Sequence, residues 1–305
     1  MLTEALQALN IKPNGIYLDG TFGRGGHSQA ILKNLNSRGR LLVVDLDPEA
    51  ILVANQLQSI DNRVSVFHES FANIKQICAR TAVNYLDGIL LDLGVSSPQL
   101  DNANRGFSFS KDGPLDMRMD ITKGEPAYQW LATVSKEQLI LVLRQYGQER
   151  FAKRIAENII IARAAKPITT TLVLADIIKK SCPASYFKFK HPATRTFQAI
   201  RIFINKELLN LQQALPQMLE LLNIGGRLVI ISFHSLEDVI VKNFINKYSS
   251  KQLPDNHHIR KFPIFNNNVD NIKLKKISKI KSSAQEIVDN IRSRSAIVRV
   301  AEKCA

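Results

Sequence analysis

The amino-acid sequence predicts an α/β protein built on a Rossmann-like sheet, and three observations carry that prediction. An apolar run ends in Asp19-Gly20 and passes through Gly23-Arg24-Gly25-Gly26 into a helical pattern from His27. A second apolar run, Arg40 to Val44, ends in the acids Asp45 and Asp47, with Asp45 lying 18 residues beyond His27. A third, Asp87 to Leu93 (DGILLDL), is apolar between its acids, as a strand buried on both faces requires. Strand, glycine loop, helix, strand and acid, in that order, make the nucleotide-binding half of a doubly wound sheet.

Residues 15–20 read as the first strand and 27–36 as the first helix. Residues 40–45 form the second strand, and Pro48, with its φ already helical, opens the helix that follows. Val64 to Phe67 alternates and turns over at His68-Glu69-Ser70, giving a third strand, and residues 87–93 give the fourth. Helical spans between these strands predict parallel βαβ units. The rhythm then breaks. Gly94 to Asp120 shows no clean period, and residues from Ser135 to about Lys180 are helical in pattern, divided at Pro167. The economical reading is a mainly helical domain at 101–198, inserted into a discontinuous core of 1–100 and 199–305. That core resumes as one long helix from Arg201 to Leu222, stopped by Gly225-Gly226. Strand five is Arg227 to Ile231, and Ser235 with Asp238 forms a capping box for the next helix. Lys251 to Lys281, rich in Lys, Asn and Ser, reads as an irregular excursion, and Ala296 to Val300 as a late strand.

Composition narrows the partner. A chain of 305 residues can bury a substantial core, and 45% hydrophobic with 22% charged residues is ordinary for a globular protein. The formal charge of +14 is not ordinary and favours a polyanion, with nucleic acid first among candidates. No apolar run approaches the roughly 20 residues needed to span a bilayer, and the N-terminus lacks a secretory pattern. No membrane partner is expected. Cys78, Cys182 and Cys304 are odd in number and scattered, with neither zinc spacing nor a disulfide framework, so a cytoplasmic setting is expected. No His, Cys and carboxylate group shows metal-ligand spacing, and no metal is expected.

The glycine loop lets backbone approach a ligand. A dinucleotide loop spaces its glycines to cradle pyrophosphate, beside which Asp19 would be poorly placed. The same acid suits the ammonium of a methionine moiety, so the pocket favours S-adenosyl-methionine. Asp45 stands where a carboxylate accepts both ribose hydroxyls. Phe71, after strand three, is a candidate adenine stack, with core packing as its alternative. Asp92 ends strand four at the same edge, and a carboxylate after four apolar residues is costly unless exposed or paired.

Longer runs now matter: DGTFGRGGHS (19–28), DLGVSSPQL (92–100), RGFSF (105–109), DGPLDMRMD (112–120), HPATRTFQAIR (191–201) and SFHSLED (232–238). Together they resemble the bacterial methyltransferases that modify N4 of a cytidine in small-subunit ribosomal RNA, and the match covers nearly the whole chain. The resemblance implies a class I, S-adenosyl-methionine-dependent core with an inserted helical domain. It also implies 16S rRNA at the decoding centre of the small (30S) subunit, or a late assembly particle, as partner, and no obligate protein partner. Carried over by motif, the cofactor contacts are Gly25, Gly26, His27, Asp45, Phe71, Asp92 and Gln99. The chain departs from the family in starting almost inside the first helix, at Met1-Leu2-Thr3-Glu4.

An exocyclic amine is a poor nucleophile because its lone pair is shared with the ring, so groups that accept its hydrogens and hold it in line are needed. Asp92, Ser96 and Ser97 occupy the position for that work, without the Asp/Asn-Pro-Pro-aromatic loop of many amino-methyltransferases. Substrate-binding candidates are Arg105 and Arg118, a basic patch of Lys188, Lys190, His191 and Arg195, with Arg201 beside it, and His234 beyond strand five. Tyr186, Phe187 and Phe189 interleave with the patch, and Phe107 and Phe109 are either base-stacking or core residues. No Gly-x-Ser-x-Gly accompanies His234, which excludes a serine hydrolase. Two other classes share these features: the same chemistry on another RNA or on DNA, and a ribosome-assembly factor that binds without catalysis. A dinucleotide oxidoreductase is disfavoured by Asp19 and the loop spacing.

Overall fold

The computed structural model describes residues 1–183, 191–249 and 272–305. Lys188 and Lys190, with Tyr186, Phe187 and Phe189, and most of the expected excursion (251–271) lie outside the described residues. The chain forms two compact units, residues 1–94 with 208–305, and residues 95–207.

The first unit is a sheet, seven-stranded among the described residues, in the order β3-β2-β1-β4-β5-β7-β6. Its strands are β1 (Ile16–Asp19), β2 (Arg40–Asp45), β3 (Val64–His68), β4 (Leu86–Asp92), β5 (Leu222–Ser232), β6 (Leu274–Lys281) and β7 (Ile297–Lys303). The first five pair in parallel, whereas β7 runs antiparallel between β5 and β6. Side chains alternate across the pleat. Leu18, Leu42, Val44, Ile89, Leu91 and Ile230 enter one core with α4 (Ile74–Arg80), α11 (Glu207–Leu221) and α12 (Ser235–Ser249). Tyr17, Leu41, Val43, Leu90 and Val229 enter the other with α1 (Leu2–Leu9), α2 (Gly26–Leu32) and α3 (Pro48–Ile60). Each fully buried aliphatic side chain contributes about 1.5–3 kcal/mol.

The second unit is helical: α5 (Ser97–Asp101), α6 (Ala127–Thr133), α7 (Lys136–Gly147), α8 (Ala152–Ala165), α9 (Thr171–Ser181) and α10 (Ala193–Ile204). Leu139, Leu143, Ile155, Ile159, Leu174, Ile178, Phe197 and Ile200 make its core, against which Val95 and Leu100 also pack. Its limits therefore fall at 95 and 207, where the sequence placed them at 101 and 198.

Four local expectations give way. The single helix from 201 to 222 is two, α10 and α11, separated at Asn205 and Lys206, the latter with φ 52°. The Asn205 side-chain amide donates to the carbonyls of Met117 and Arg201 at 2.7 and 2.9 Å, holding the end of α10 in place. Gly225 and Gly226 stop no helix; they lie inside β5, at an irregularity in its pairing with β4. At α12, His234 and Glu237 do the capping expected of Ser235 and Asp238, for the Glu237 carboxylate accepts from the amides of Phe233 (2.9 Å) and His234 (3.3 Å). Asp238 instead takes the Arg299 guanidinium of β7 in a two-pronged pair at 2.6 and 2.9 Å. Finally, the end of the supposed excursion is strand β6, whose Ile277 and Ile280 pack inward. Its helix of α13 (Ala284–Asp289) leads back to β7.

Candidate functional site

Strand order reverses between β1 and β4, so the loops leaving their C-terminal ends diverge and open a crevice, the place where ligands bind in doubly wound sheets. Asp19, Asp45 and Asp92 are the last residues of β1, β2 and β4 and bring three carboxylates to this edge.

Asp19 is 0% exposed and accepts from the Thr21 amide at 3.1 Å and the Ser28 hydroxyl at 2.7 Å. It ties the glycine loop to the first turn of α2. The sequence set Asp19 against a ligand ammonium; in the structure its carboxylate is buried and braces the loop from beneath. Asp45 accepts from the Gly23 amide at 2.7 Å and the Asp47 amide at 2.9 Å. A carboxylate oxygen can accept twice, so both oxygens retain capacity for a pair of hydroxyls. Asp47 caps α3 by accepting from Glu49, and Pro48 sits in that helix's opening turn.

The Asp92 amide donates to the Thr21 hydroxyl at 2.6 Å, which fixes the end of β4 to the glycine loop. Asp92 Oδ2 lies 3.7 Å from His27 Nδ1. Asp92 Oδ1 and His27 Nε2 are buried without a hydrogen-bond partner among the described residues. Orphaned polar atoms of this kind cost about 1–3 kcal/mol each unless a ligand satisfies them.

Burial dominates the electrostatics. It pushes Asp19, Asp45 and Asp92 up to about 6, against the lowering action of Ser28 and Thr21 on Asp19, of the Asp47 and Gly23 amides on Asp45, and of His27 on Asp92. Asp19 and Glu237 raise Asp92 further by their charge. Burial lowers His27, leaving its imidazole neutral near pH 7. The edge therefore concentrates three acids, eased at Asp92 by the N-terminal ammonium as well as His27, and it suits a cation.

The loop is shaped for close approach. Gly25 caps α2 at φ 79°, where a Cβ would lie 2.7 Å from the Phe22 ring. Gly26 faces open space, with nothing within 4 Å of where its Cβ would be. Gly25→Ala is expected to cost about 2–3 kcal/mol, from backbone strain and the clash, and to lower Tm clearly. Gly26→Ala is expected to leave Tm near wild type, because no strain or clash opposes it. Thermal melts of the two variants check both.

Phe71 follows β3 and is half-buried against the first core, so packing accounts for it. His234, beyond β5, has its ring nitrogen Nδ1 accepting from the Glu237 amide at 3.4 Å. Thr21, Ser28 and Glu237 were missed as organisers of the edge; the first two sit inside DGTFGRGGHS, and only the fold shows what their hydroxyls bond.

The second unit holds the remaining candidates. Ser96 and Gln99 form a capping box at α5, with the Ser96 amide donating to Gln99 Oε1 at 2.9 Å. Gln99, 5% exposed, thus has a structural bond of its own, and Ser97 is exposed. Arg105 is not on the surface; it is 5% exposed, and its guanidinium donates to the carbonyls of Arg118 and Met119 at 3.1 and 2.9 Å. Arg118 grips Asp116 at 2.8 and 2.7 Å, so its charge is balanced inside the unit. These two arginines order a loop instead of presenting themselves to phosphate. Arg195 donates to the Gln148 carbonyl at 3.1 Å, and Arg201 pairs with Glu207 at 2.8 Å. His191 is exposed and stacks on Phe109 with ring centres 4.4 Å apart, while Phe107 is core.

S-adenosyl-methionine meets the requirements of this edge. It is cationic where the carboxylates are unbalanced, its ribose carries the two hydroxyls Asp45 can accept, and Gly26 leaves room beside the loop. Binding such a donor over a sheet of this order is what Rossmann-like methyltransferases do, and the protein is a methyltransferase of that class. More narrowly, the chain belongs to the MraW methylase family, whose model matches residues 1–304. It is 52% identical over 305 residues to proteins called ribosomal RNA small subunit methyltransferase H from two Coxiella burnetii strains, Dugway 5J108-111 and RSA 493 / Nine Mile phase I. Each alignment covers 99% of this chain and 97% of the relative. Among solved structures, it is similar to a putative rRNA-methylase from Clostridium thermocellum (10% identity, 99% of this chain and 94% of that one, TM-score 0.47). Among the described residues, no helix is long and apolar enough to cross a membrane.

Proposed function

We propose that the protein, acting in the cytoplasm, transfers the methyl group of S-adenosyl-methionine to N4 of a cytidine in small-subunit (16S) rRNA, within the 30S subunit or a late assembly particle. The observation that carries the site assignment is Asp92 Oδ1, a buried acceptor without a partner at the switch point of the sheet. The near full-length likeness to small-subunit rRNA methyltransferases supports the substrate.

When bound, S-adenosyl-methionine supplies a methyl group on a positively charged sulfur. Asp45 would accept the ribose hydroxyls, and Gly23, Gly25 and Gly26 would let the loop backbone approach the donor, the Arg24 side chain being turned to Glu49. Asp92, ionised at neutral pH, accepts a hydrogen of the target amine and favours localisation of its lone pair. With the donor bound, the amine nitrogen would displace the methyl group from sulfur, and Asp92 or water would take the proton that nitrogen then gives up. His27, with Nδ1 3.7 Å from Asp92 Oδ2, lies beside that carboxylate. Ser97 is a further candidate for holding the amine, and His191, Arg195 and His234 for holding RNA. Lys188 and Lys190 remain in this proposal on sequence grounds.

Unmodified small subunits, incubated with labelled donor and digested to nucleosides, should yield N4-methylcytidine. RNA binding without label in subunits, free rRNA or precursor particles would establish a binding factor instead.

Donor binding should depend on pH in a defined direction. The three carboxylates are raised to about 6 in the free protein, and a cation binds their ionised forms. Affinity should therefore rise from pH 5 to about pH 7 and then level off, with protons released on binding below pH 6. The free protein should show the opposite trend. A raised folded-state pKa gives stability that is complete below pH 3.8 and lost as pH rises through about 6. Calorimetry in buffers of different ionisation heat reads the protons, and melting with and without donor reads the crossing trends.

A further inference from the structure

β6 is the outermost strand of the sheet, and one of its edges has no strand beside it among the described residues. Unpaired edges invite pairing with other chains, and one or two charges commonly blunt them. This edge carries much more. From Ile272 to Lys281 there are five lysines and no carboxylate. Ile277 and Ile280 pack inward, while Lys275, Lys276, Lys279 and Lys281 are exposed. None of these four side chains has an ion pair or hydrogen-bond partner among the described residues. The carboxylates nearby are engaged elsewhere, for Glu302, directly across from Lys275, holds Arg227 at 2.8 Å, and Asp238 holds Arg299. Exposed Arg294, just before β7, adds to the same charge.

Like charges along one strand repel, and residues two apart sit only about 6.6–6.8 Å from one another. Lys279 and Lys281 are so placed, and the irregular register between Lys276 and Ser278 keeps Lys276 on the same face of the strand as these two. We infer that the lysines of β6 form a rail for the phosphate backbone of the RNA substrate, separate from the donor crevice at the C-terminal ends of β1, β2 and β4. The inference rests on the rRNA function proposed above. It assigns β6 to sequence-independent grip, which positions the RNA while the crevice selects the base. An RNA strand supplies the regular negative charge that the strand's own neighbours do not.

Two quadruple variants test it, one changing Lys275, Lys276, Lys279 and Lys281 to Gln and one changing all four to Glu. Binding to a small-subunit rRNA transcript is measured across a salt series, alongside donor affinity, Tm and sedimentation. The Gln variant is expected to bind RNA at least tenfold more weakly near 0.1 M salt, with the slope of log K against log salt shallower by about 3. Donor affinity and Tm should stay at wild-type values. The Glu variant keeps charge on the edge, and so stays monodisperse, but should bind RNA more weakly still. Wild-type RNA affinity and slope in both variants would overturn the rail and leave the lysines as edge guards alone. Should wild type itself neither bind nor methylate rRNA, the function proposed above falls too, which separates the two failures.

Discussion

Asp92→Asn is expected to slow methyl transfer by about 10³-fold at saturating donor, roughly 4 kcal/mol of transition-state stabilisation. The amide retains an acceptor oxygen and similar shape but loses the charge that the developing cationic nitrogen requires. Asp92→Ala should be at least as slow. Both variants should keep the β4 anchor, because it is the Asp92 backbone amide that bonds Thr21. The decisive comparison is single-turnover rate against donor Kd, measured separately. A Kd raised less than tenfold, with the rate loss intact at saturation, places Asp92 at the reacting amine. If saturating donor restores the rate, Asp92 is a donor contact and the assignment to the amine is wrong.

Asp45→Ala is expected to fail differently. Loss of an ionised acceptor for two hydroxyls should raise donor Kd by about 100-fold or more, near 3 kcal/mol. The same change frees the Gly23 and Asp47 amides, so part of the effect comes from a looser loop. Asp45→Asn retains one acceptor oxygen and should lose less. RNA affinity should be unchanged in both, since Asp45 lies in the crevice and binds through the loop alone. Calorimetry with donor, and filter binding with RNA, give the two numbers. Equal loss of donor and RNA binding would mean a damaged fold rather than a missing contact.

Much of the parallel sheet was legible because its signals are local. DGILLDL can only be buried on both faces, and Asp19, Asp45 and Asp92 end apolar runs, so the edge with the acids followed from strand direction alone. What was hidden depends on partners distant in sequence. LKKISKIK reads as a solvated lysine run, since two isoleucines among four lysines give too weak a period to reveal a strand, until β7 pairs with it. The break at Asn205 carries no glycine or proline; it becomes visible only when Met117 and Met119 supply bonds to the asparagine side chain. Arg105 and Arg118 show the reverse error. Arginine in a polar loop suggests a phosphate ligand, yet here carbonyls and Asp116 claim both guanidinium groups. Sequence spacing located Asp45 correctly at the strand end but did not show that Asp19 is fully buried and bonded to Ser28 and Thr21. Charge type was legible, and exposure was not.

The placement of β7 has a consequence for how the chain is made. β5 and β6 are both synthesised before it, yet neither pairs with the other; each waits for the strand at residues 297–303. Until that segment leaves the ribosome, the inner edges of two finished strands are open, and Val298, Val300 and Ala301 are missing from the two cores. Closure joins residue 231 to residue 298, a long loop whose ends meet late and slowly. A nascent chain stalled just short of β7 should therefore be cut readily by protease, whereas one long enough to release it should resist. The three carboxylates of the donor crevice, Asp19, Asp45 and Asp92, are specified in sequence early, while the sheet beneath them becomes rigid only once β7 is in place.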